Sequence, residues 1–415
     1  MIRWLFFFML MSARMASAAD LKAELHQHFQ QACQAGHFMG AVSISVNGEA
    51  RFTDACGWAD VEWNIENTID TRFRTGSIAK GFTAAGILLL HEQGKLTLSD
   101  PVGKYLPELP ESWRSATIHQ LLTHTSGLPM PDYKGMAWEK YSASGVTPQD
   151  WLDLVRDKPL MYPHGTKFTY NNTGYFVLGM VIEKLSGMKY EDFIQQRIFD
   201  QLGMKDSGFD DVEKIVPRRA RGYALAGVQL QNAKLINPRS AWAAGGFYTT
   251  VHDFTLWSEA LAHGTLLNPD STQRMFAIYP ETAAYGMHYG YGIVLGERFG
   301  RKLEYHGGGI VGFNSVLQRY PEAGLVIVVL SNMDTDTSPA PVKSWDLGDD
   351  LARIWFAAQT QQLACPLRGG AGLLELSLAK PLFHGVEQAC RGPQQARFWL
   401  VGAEACVHDQ YGYRV

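Results

Sequence analysis

A chain of 415 residues, 46% hydrophobic and 12% aromatic, carries enough apolar side chains for a large core and two or three lobes, which excludes a disordered or low-complexity protein. Its 37 lysines and arginines against 41 aspartates and glutamates give a formal charge of −4, and nothing in that balance invites nucleic acid. Five cysteines, Cys33, Cys56, Cys365, Cys390 and Cys406, are compatible with disulfides in an oxidising compartment, and the odd number leaves at least one unpaired within the chain. No Cys-x-x-Cys or zinc-site spacing occurs, so neither a metal nor another cofactor is expected.

At the N-terminus, Arg3, an apolar run from Trp4 to Met11 and the small residues Ala16-Ser17-Ala18 read as a secretory signal peptide over residues 1–18. The expected fate is export to the periplasm or medium, with no stable membrane span after cleavage, because no later stretch approaches ~20 apolar residues. From Asp20 to Gln34, Leu21, Leu25, His28 and Phe29 recur at helical spacing. His26 and His28, two apart, point to different faces of that helix and read as ordinary helix positions rather than ligands. Val42, Ile44 and Val46 then alternate with small or polar residues, Asn47-Gly48 supplies a tight turn and Arg51 to Asp54 leads back, a hairpin at a sheet edge.

Ser77-Ile78-Ala79-Lys80 puts a hydroxyl and an amine three residues apart at a helix start, on one face and within reach of each other. A serine needs a base, and a lysine serves only if burial or charge pulls its pKa down from about 10.4. Phe82, Ala84, Ala85, Ile87, Leu88, Leu89 and Leu90 make the following helix apolar nearly all round, hence buried, and it ends at Gly94. The free N–H groups and dipole at its start favour negative charge on a substrate carbonyl oxygen. Alone, the pair is a weak signal; its weight depends on partners downstream.

Thr123-His124-Thr125-Ser126-Gly127 reads as a polar turn closing a helix, since no Gly-x-Ser-x-Gly elbow accompanies the histidine and serine. The segment from Pro129 to Pro163, with Tyr133, Trp138, Tyr141, Trp151 and Tyr162, either walls a pocket or packs itself down. Tyr170 and Asn172 fall on a loop before a helix from Tyr175 to Leu185, where a phenol can relay a proton to a lysine and an amide can bond lysine or substrate. Gly245-Gly246, within Ala243 to Phe247, suggests close backbone approach. His306-Gly307-Gly308-Gly309 lies on a strand, and Leu325 to Leu330, apolar on both faces, reads as a central strand.

Ser77-x-x-Lys80, Tyr170-x-Asn172 and His306-Gly307-Gly308, in that order, resemble the motifs of the serine penicillin-recognising hydrolases, closest to the group of class C β-lactamases, D-Ala-D-Ala carboxypeptidases, D-aminopeptidases and related esterases. The resemblance runs from about Gly40 to Gln359. It implies an α+β, β-lactamase-like fold in which a mixed sheet from both chain ends is flanked by helices, with a helical lobe inserted. The domain would span 19–359, leaving 360–415 as an extension of unknown role.

The resemblance also implies the chemistry. Ser77 attacks a carbonyl, Lys80 and Tyr170 manage the protons, and Asn172 orients lysine and substrate. The N–H groups of Ser77 and Gly309 form the oxyanion hole, and His306, Gly307 and Gly308 line the substrate. His306 stands where many β-lactamases carry lysine, which weakens attraction for a substrate carboxylate and moves weight toward a D-amino-acid peptidase or esterase, with β-lactam hydrolysis behind. The partner is then a small peptide, ester or β-lactam. A binding protein that kept the fold and lost turnover is the competing class.

Overall fold

The computed structural model describes residues 18–34, 38–144, 147–284, 286–334 and 342–364. The signal-peptide stretch up to Ser17 and the extension from Cys365 onward, with Cys365, Cys390 and Cys406, lie outside them.

The first helix, α1, is Ala18–Gln34, and the hairpin follows as β1 (Gly40–Val46) and β2 (Glu49–Cys56). Its turn residues Asn47 and Gly48 both have positive φ, the conformation a two-residue hairpin turn needs to match strand twist. Five further strands come late in the chain: β3 (His288–Tyr289), β4 (Val294–Arg298), β5 (Arg301–Ile310), β6 (Phe313–Tyr320) and β7 (Leu325–Ser331). They join the hairpin in one sheet ordered β3-β4-β5-β6-β7-β1-β2. Both chain ends therefore build the sheet, with β2 on its edge.

The expected α+β arrangement holds, but the sheet is antiparallel throughout rather than mixed. The short links between successive strands from β3 to β7 are the physical reason, since a parallel neighbour needs a long crossover. β7 lies between β6 and β1 and is buried along its whole length, as its two apolar faces require. Its alternate residues serve two layers. Leu325, Ile327 and Val329 pack with Val42, Ile44, Leu25 and Phe29 beneath α1 and the final helix Ser344–Ala364, whereas Val326, Val328 and Leu330 face the other core. That final helix runs through residue 359, where the resemblance placed the end of the domain.

Residues 57–287 hold the inserted lobe. Its buried helices α2 (Lys80–Glu92) and α3 (Asn172–Ser186) pack against each other, and Trp151 stacks on Phe176 with ring centres 4.0 Å apart. Trp138, Tyr141 and Trp151 pack on one another, so most aromatics of the 129–163 segment hold the lobe together. A disulfide joins Cys33 at the end of α1 to Cys56 at the end of β2.

Candidate active site

Ser77 stands in a single 3₁₀ turn, Gly76–Ala79, and the α-helix begins only at Lys80. Residues three apart eclipse in such a turn, so the two side chains lie one over the other more directly than in the α-helix start expected from sequence. Lys80 Nζ and Ser77 Oγ are 3.1 Å apart. The serine is half-buried and reachable, whereas Lys80 is fully buried. Its amine donates a second hydrogen bond to the Ala244 carbonyl at 2.9 Å and lies 4.7 and 5.5 Å from the ring centres of Tyr170 and Tyr175. Desolvation holds its pKa well below the usual lysine range.

The Ala244 carbonyl escaped the sequence reading as a lysine partner. The paired glycines beside it do mark a close approach, because a methyl on Gly245 would lie 3.4 Å from the backbone of Gly76.

Tyr170 is half-buried, its ring 4.4 Å from His124 and 6.1 Å from both Tyr289 and His306, centre to centre. Asn172 is the first residue of α3 rather than a loop residue, because the side chain of Asn171 caps the helix by accepting the Gly174 N–H. Asn172 Nδ2 donates to Tyr133 Oη at 3.1 Å. Among the described residues it makes no hydrogen bond to Lys80, the partner implied by the resemblance, and its Oδ1 is buried without a hydrogen-bond partner.

β4 pairs with β5 only as far as Tyr305, and the turn carrying Ser77 lies against the remaining edge of β5 from His306 on. The approach is close enough to require glycine on both sides. A methyl on Gly76, whose φ is +52°, would lie 2.7 Å from Gly309 N, and one on Gly308 only 1.9 Å from Thr75 O. Ser315 Oγ donates to that same Thr75 carbonyl at 2.8 Å, pinning turn to strand. The sequence expectation made Gly308 a substrate-lining residue; instead it is buried between Thr75 and Ser315 and serves the packing of strand on turn. Gly307 is half-buried and Gly309 exposed beside Ser77.

His306 is buried, with Nδ1 2.5 Å from its neighbour's carbonyl oxygen, Gly307 O, and Nε2 3.0 Å from Tyr289 Oη. Burial, with the Lys80 charge second, lowers its pKa to about 3. It is therefore neutral at physiological pH, with Nδ1–H donating to the carbonyl and Nε2 accepting the Tyr289 hydroxyl proton. Tyr289, a partner of the site, lies on a two-residue strand that carries too little pattern to be found in sequence.

His124 was read as a turn residue, and it is one, with φ +58°. It is also buried against Tyr170, Tyr175 and Tyr289, a contact no local pattern announces. Among the described residues no cluster of three histidines, cysteines or acids could hold a metal ion, and no helix is long and apolar enough to cross a membrane.

The Beta-lactamase family model matches residues 25–350. Teichoic acid D-alanine hydrolase of Staphylococcus aureus is 28% identical over 266 residues, covering 61% of this chain and 63% of the relative. Among solved structures, D-amino acid amidase from Ochrobactrum anthropi SV3 superposes with a TM-score of 0.72 at 25% identity, over 82% of this chain and 100% of that one. The penicillin binding protein from Bacillus halodurans gives a TM-score of 0.69 at 26% identity, over 80% and 98%.

Proposed function

The chain belongs to the beta-lactamase family and is a serine hydrolase, and from that premise we propose that it cleaves D-amino-acid amides or peptides, or small esters, through an acyl-enzyme on Ser77. The observation that carries this reading is the fully buried Lys80 amine, its charged form disfavoured, 3.1 Å from Ser77 Oγ. As a neutral amine it keeps one N–H on the Ala244 carbonyl and offers its lone pair to the serine proton.

In the proposed reaction the Ser77 Oγ–carbon bond forms as Lys80 takes the proton. Tyr170, its ring against that amine, passes a proton to the departing nitrogen or oxygen as the scissile bond breaks and is reprotonated by Lys80, which leaves both groups as they began. Water then attacks the ester, and the proton it loses returns to Ser77. The N–H groups of Ser77 and Gly309 hold the oxyanion. Asn172, with its amide bonded to Tyr133, would meet the substrate rather than the lysine.

His306 bears on the substrate class. Neutral, with its acceptor nitrogen occupied by Tyr289, it offers no positive charge to a carboxylate beside the scissile bond. Amides and esters without that carboxylate are favoured over carboxypeptidase substrates and β-lactams. The fold's D-amino acid amidase neighbour is consistent with that choice. Export is the remaining part of the proposal; the Cys33–Cys56 disulfide suits an oxidising compartment, and N-terminal sequencing of the protein recovered outside the cytoplasm tests it.

The central experiment follows hydrolysis of D-alanine p-nitroanilide and p-nitrophenyl acetate, with intact mass measured after acid quench and after benzylpenicillin, for the wild type and Ser77→Ala. Turnover or an adduct that requires Ser77 supports the reading. A folded wild type with neither overturns it and leaves a binding protein without turnover.

A further inference from the structure

We propose that His124 is a positioning residue for Tyr170, holding the backbone on both sides of the tyrosine with its own carbonyl oxygen and ring nitrogen. The inference rests on the reading in which Tyr170 moves the proton.

The geometry is bracketed. His124 O accepts the N–H of Thr169 at 3.0 Å, and His124 Nδ1 accepts the N–H of Asn171 at 3.0 Å, so residues 169 and 171 are tied to one residue with Tyr170 between them. The imidazole then lies against the phenol ring itself, 4.4 Å between centres. Neighbouring groups extend the same seam. Tyr175 Oη donates to Leu122 O at 2.9 Å, Asn171 Nδ2 donates to Leu128 O at 2.5 Å, and Thr173 Oγ1 donates to Pro129 O at 2.8 Å. The turn over residues 122–129 is thus a template on which the 169–175 segment is laid, and His124 supplies the two contacts nearest the phenol.

Two features argue that the histidine is kept for this place rather than for stability. Its φ of +58° is one a side chain with a Cβ adopts at a cost. Because Nδ1 accepts a hydrogen bond, a neutral ring carries its proton on Nε2, and that atom is buried without a hydrogen-bond partner among the described residues. An apolar side chain would avoid the second cost. Lys80, His306, Tyr170, Tyr175 and Tyr289 face the ring; burial, Lys80 and His306 together oppose its protonation, which keeps Nδ1 available as an acceptor.

Two variants and one variant-free measurement test this. His124→Leu removes the acceptor and should lower kcat for D-alanine p-nitroanilide by roughly 10- to 100-fold with KM little changed, as expected for a misplaced catalytic group. His124→Asn places Oδ1 where Nδ1 stood and tolerates the left-handed backbone, and should recover most of that loss. Wild-type kcat in the leucine variant, or an asparagine variant no better than leucine, overturns the proposal. Should either variant fail to fold, ring-nitrogen NMR of the wild type still decides. One histidine should be protonated on Nε2 alone and show no titration across about pH 5 to 9. If no ring combines the Nε2-protonated tautomer with the missing titration, the bracket is wrong. This arm reads the clamp even if Ser77 proves not to be acylated, so the two readings fail separately.

Discussion

The sheet has two faces of different character. Beneath α1 and the final helix, Leu25, Phe29, Val42, Ile44, Leu325, Ile327, Val329, Leu347 and Leu351 form a layer of aliphatic and aromatic side chains. On the opposite face, alternate residues of the same strands meet the lobe, and there Lys80, His124, His306 and Tyr289 are buried beside the apolar groups. Burying amines and imidazoles disfavours their charged forms and detracts from stability, so a fold that concentrates them beside one accessible serine is using that face for chemistry. The other face supplies the rigid support. If this division of labour is right, substitutions on the two faces should have opposite signatures.

The largest effect belongs to Ser77→Ala. It removes the proposed nucleophile from a half-buried position and should abolish turnover, a loss of roughly 10⁴-fold or more, while leaving the denaturation midpoint close to wild type. Substantial hydrolysis by the folded variant would mean the chemistry resides elsewhere. Next come Lys80→Ala and Tyr170→Phe, each expected to lower the chemical step by ~10²-fold or more, measured as single-turnover acylation. Lys80→Ala should at the same time cost little stability or even add some, because the wild-type amine is fully buried with a depressed pKa. A large stability loss together with unchanged acylation would reverse the assignment of the two faces.

The same division explains what could be read in the sequence. The supporting face follows period 2 in Val42, Ile44 and Val46 and period 3.6 in Leu21, Leu25 and Phe29, so its strands, its hairpin and its first helix were legible from pattern alone. The close Ser77–Lys80 pair was legible too, because the two are only three residues apart and the apolar run that buries the lysine follows immediately. What escaped comes from contacts distant in sequence. Ala244 O reaches Lys80 across 164 positions, Asn171 N reaches His124 across 47, and Tyr289 reaches His306 from a strand two residues long. His124 was discarded because its local context is a turn, and turn chemistry is all that neighbouring residues can report. The Asn172 contact is of the same kind: its spacing from Tyr170 fits the motif, but the group its Nδ2 meets is Tyr133, 39 positions upstream.

Ile327→Ala probes the supporting face directly. Ile327 is fully buried on β7 under the terminal helices, and truncating it should cost about 2–5 kcal/mol in denaturant unfolding through lost transfer energy and the cavity left behind. Its effect on kcat, at a temperature where the variant remains folded, should be within about twofold, since the side chain points away from the cleft. The contrast with Lys80→Ala is the sharpest available: stability without activity on one face, activity without stability on the other. Loss of kcat in folded Ile327→Ala would show that the two layers are mechanically coupled and that the support is part of the machinery.

The smallest effect is the pH dependence of stability carried by His306. Its pKa is lowered from 6.5 to about 3 in the folded protein, chiefly by burial. Between those two values the unfolded chain binds a proton that the folded one refuses, so stability is fully present above about pH 6.5 and is lost as pH falls toward 3. One such proton corresponds to a slope of about 1.4 kcal/mol per pH unit in the middle of that window. His124 is shifted in the same direction and adds a slope of the same sign. His306→Gln keeps an acceptor for the Tyr289 hydroxyl and removes one titration, so the fall in unfolding free energy between neutral pH and about pH 4.5 should become shallower by roughly that amount per unit. Identical slopes in the two proteins would mean that His306 takes up its proton as readily folded as unfolded. The site would then carry a positive charge in mild acid, and the proposed preference for substrates lacking a carboxylate beside the scissile bond would hold only above the pH at which that charge is lost.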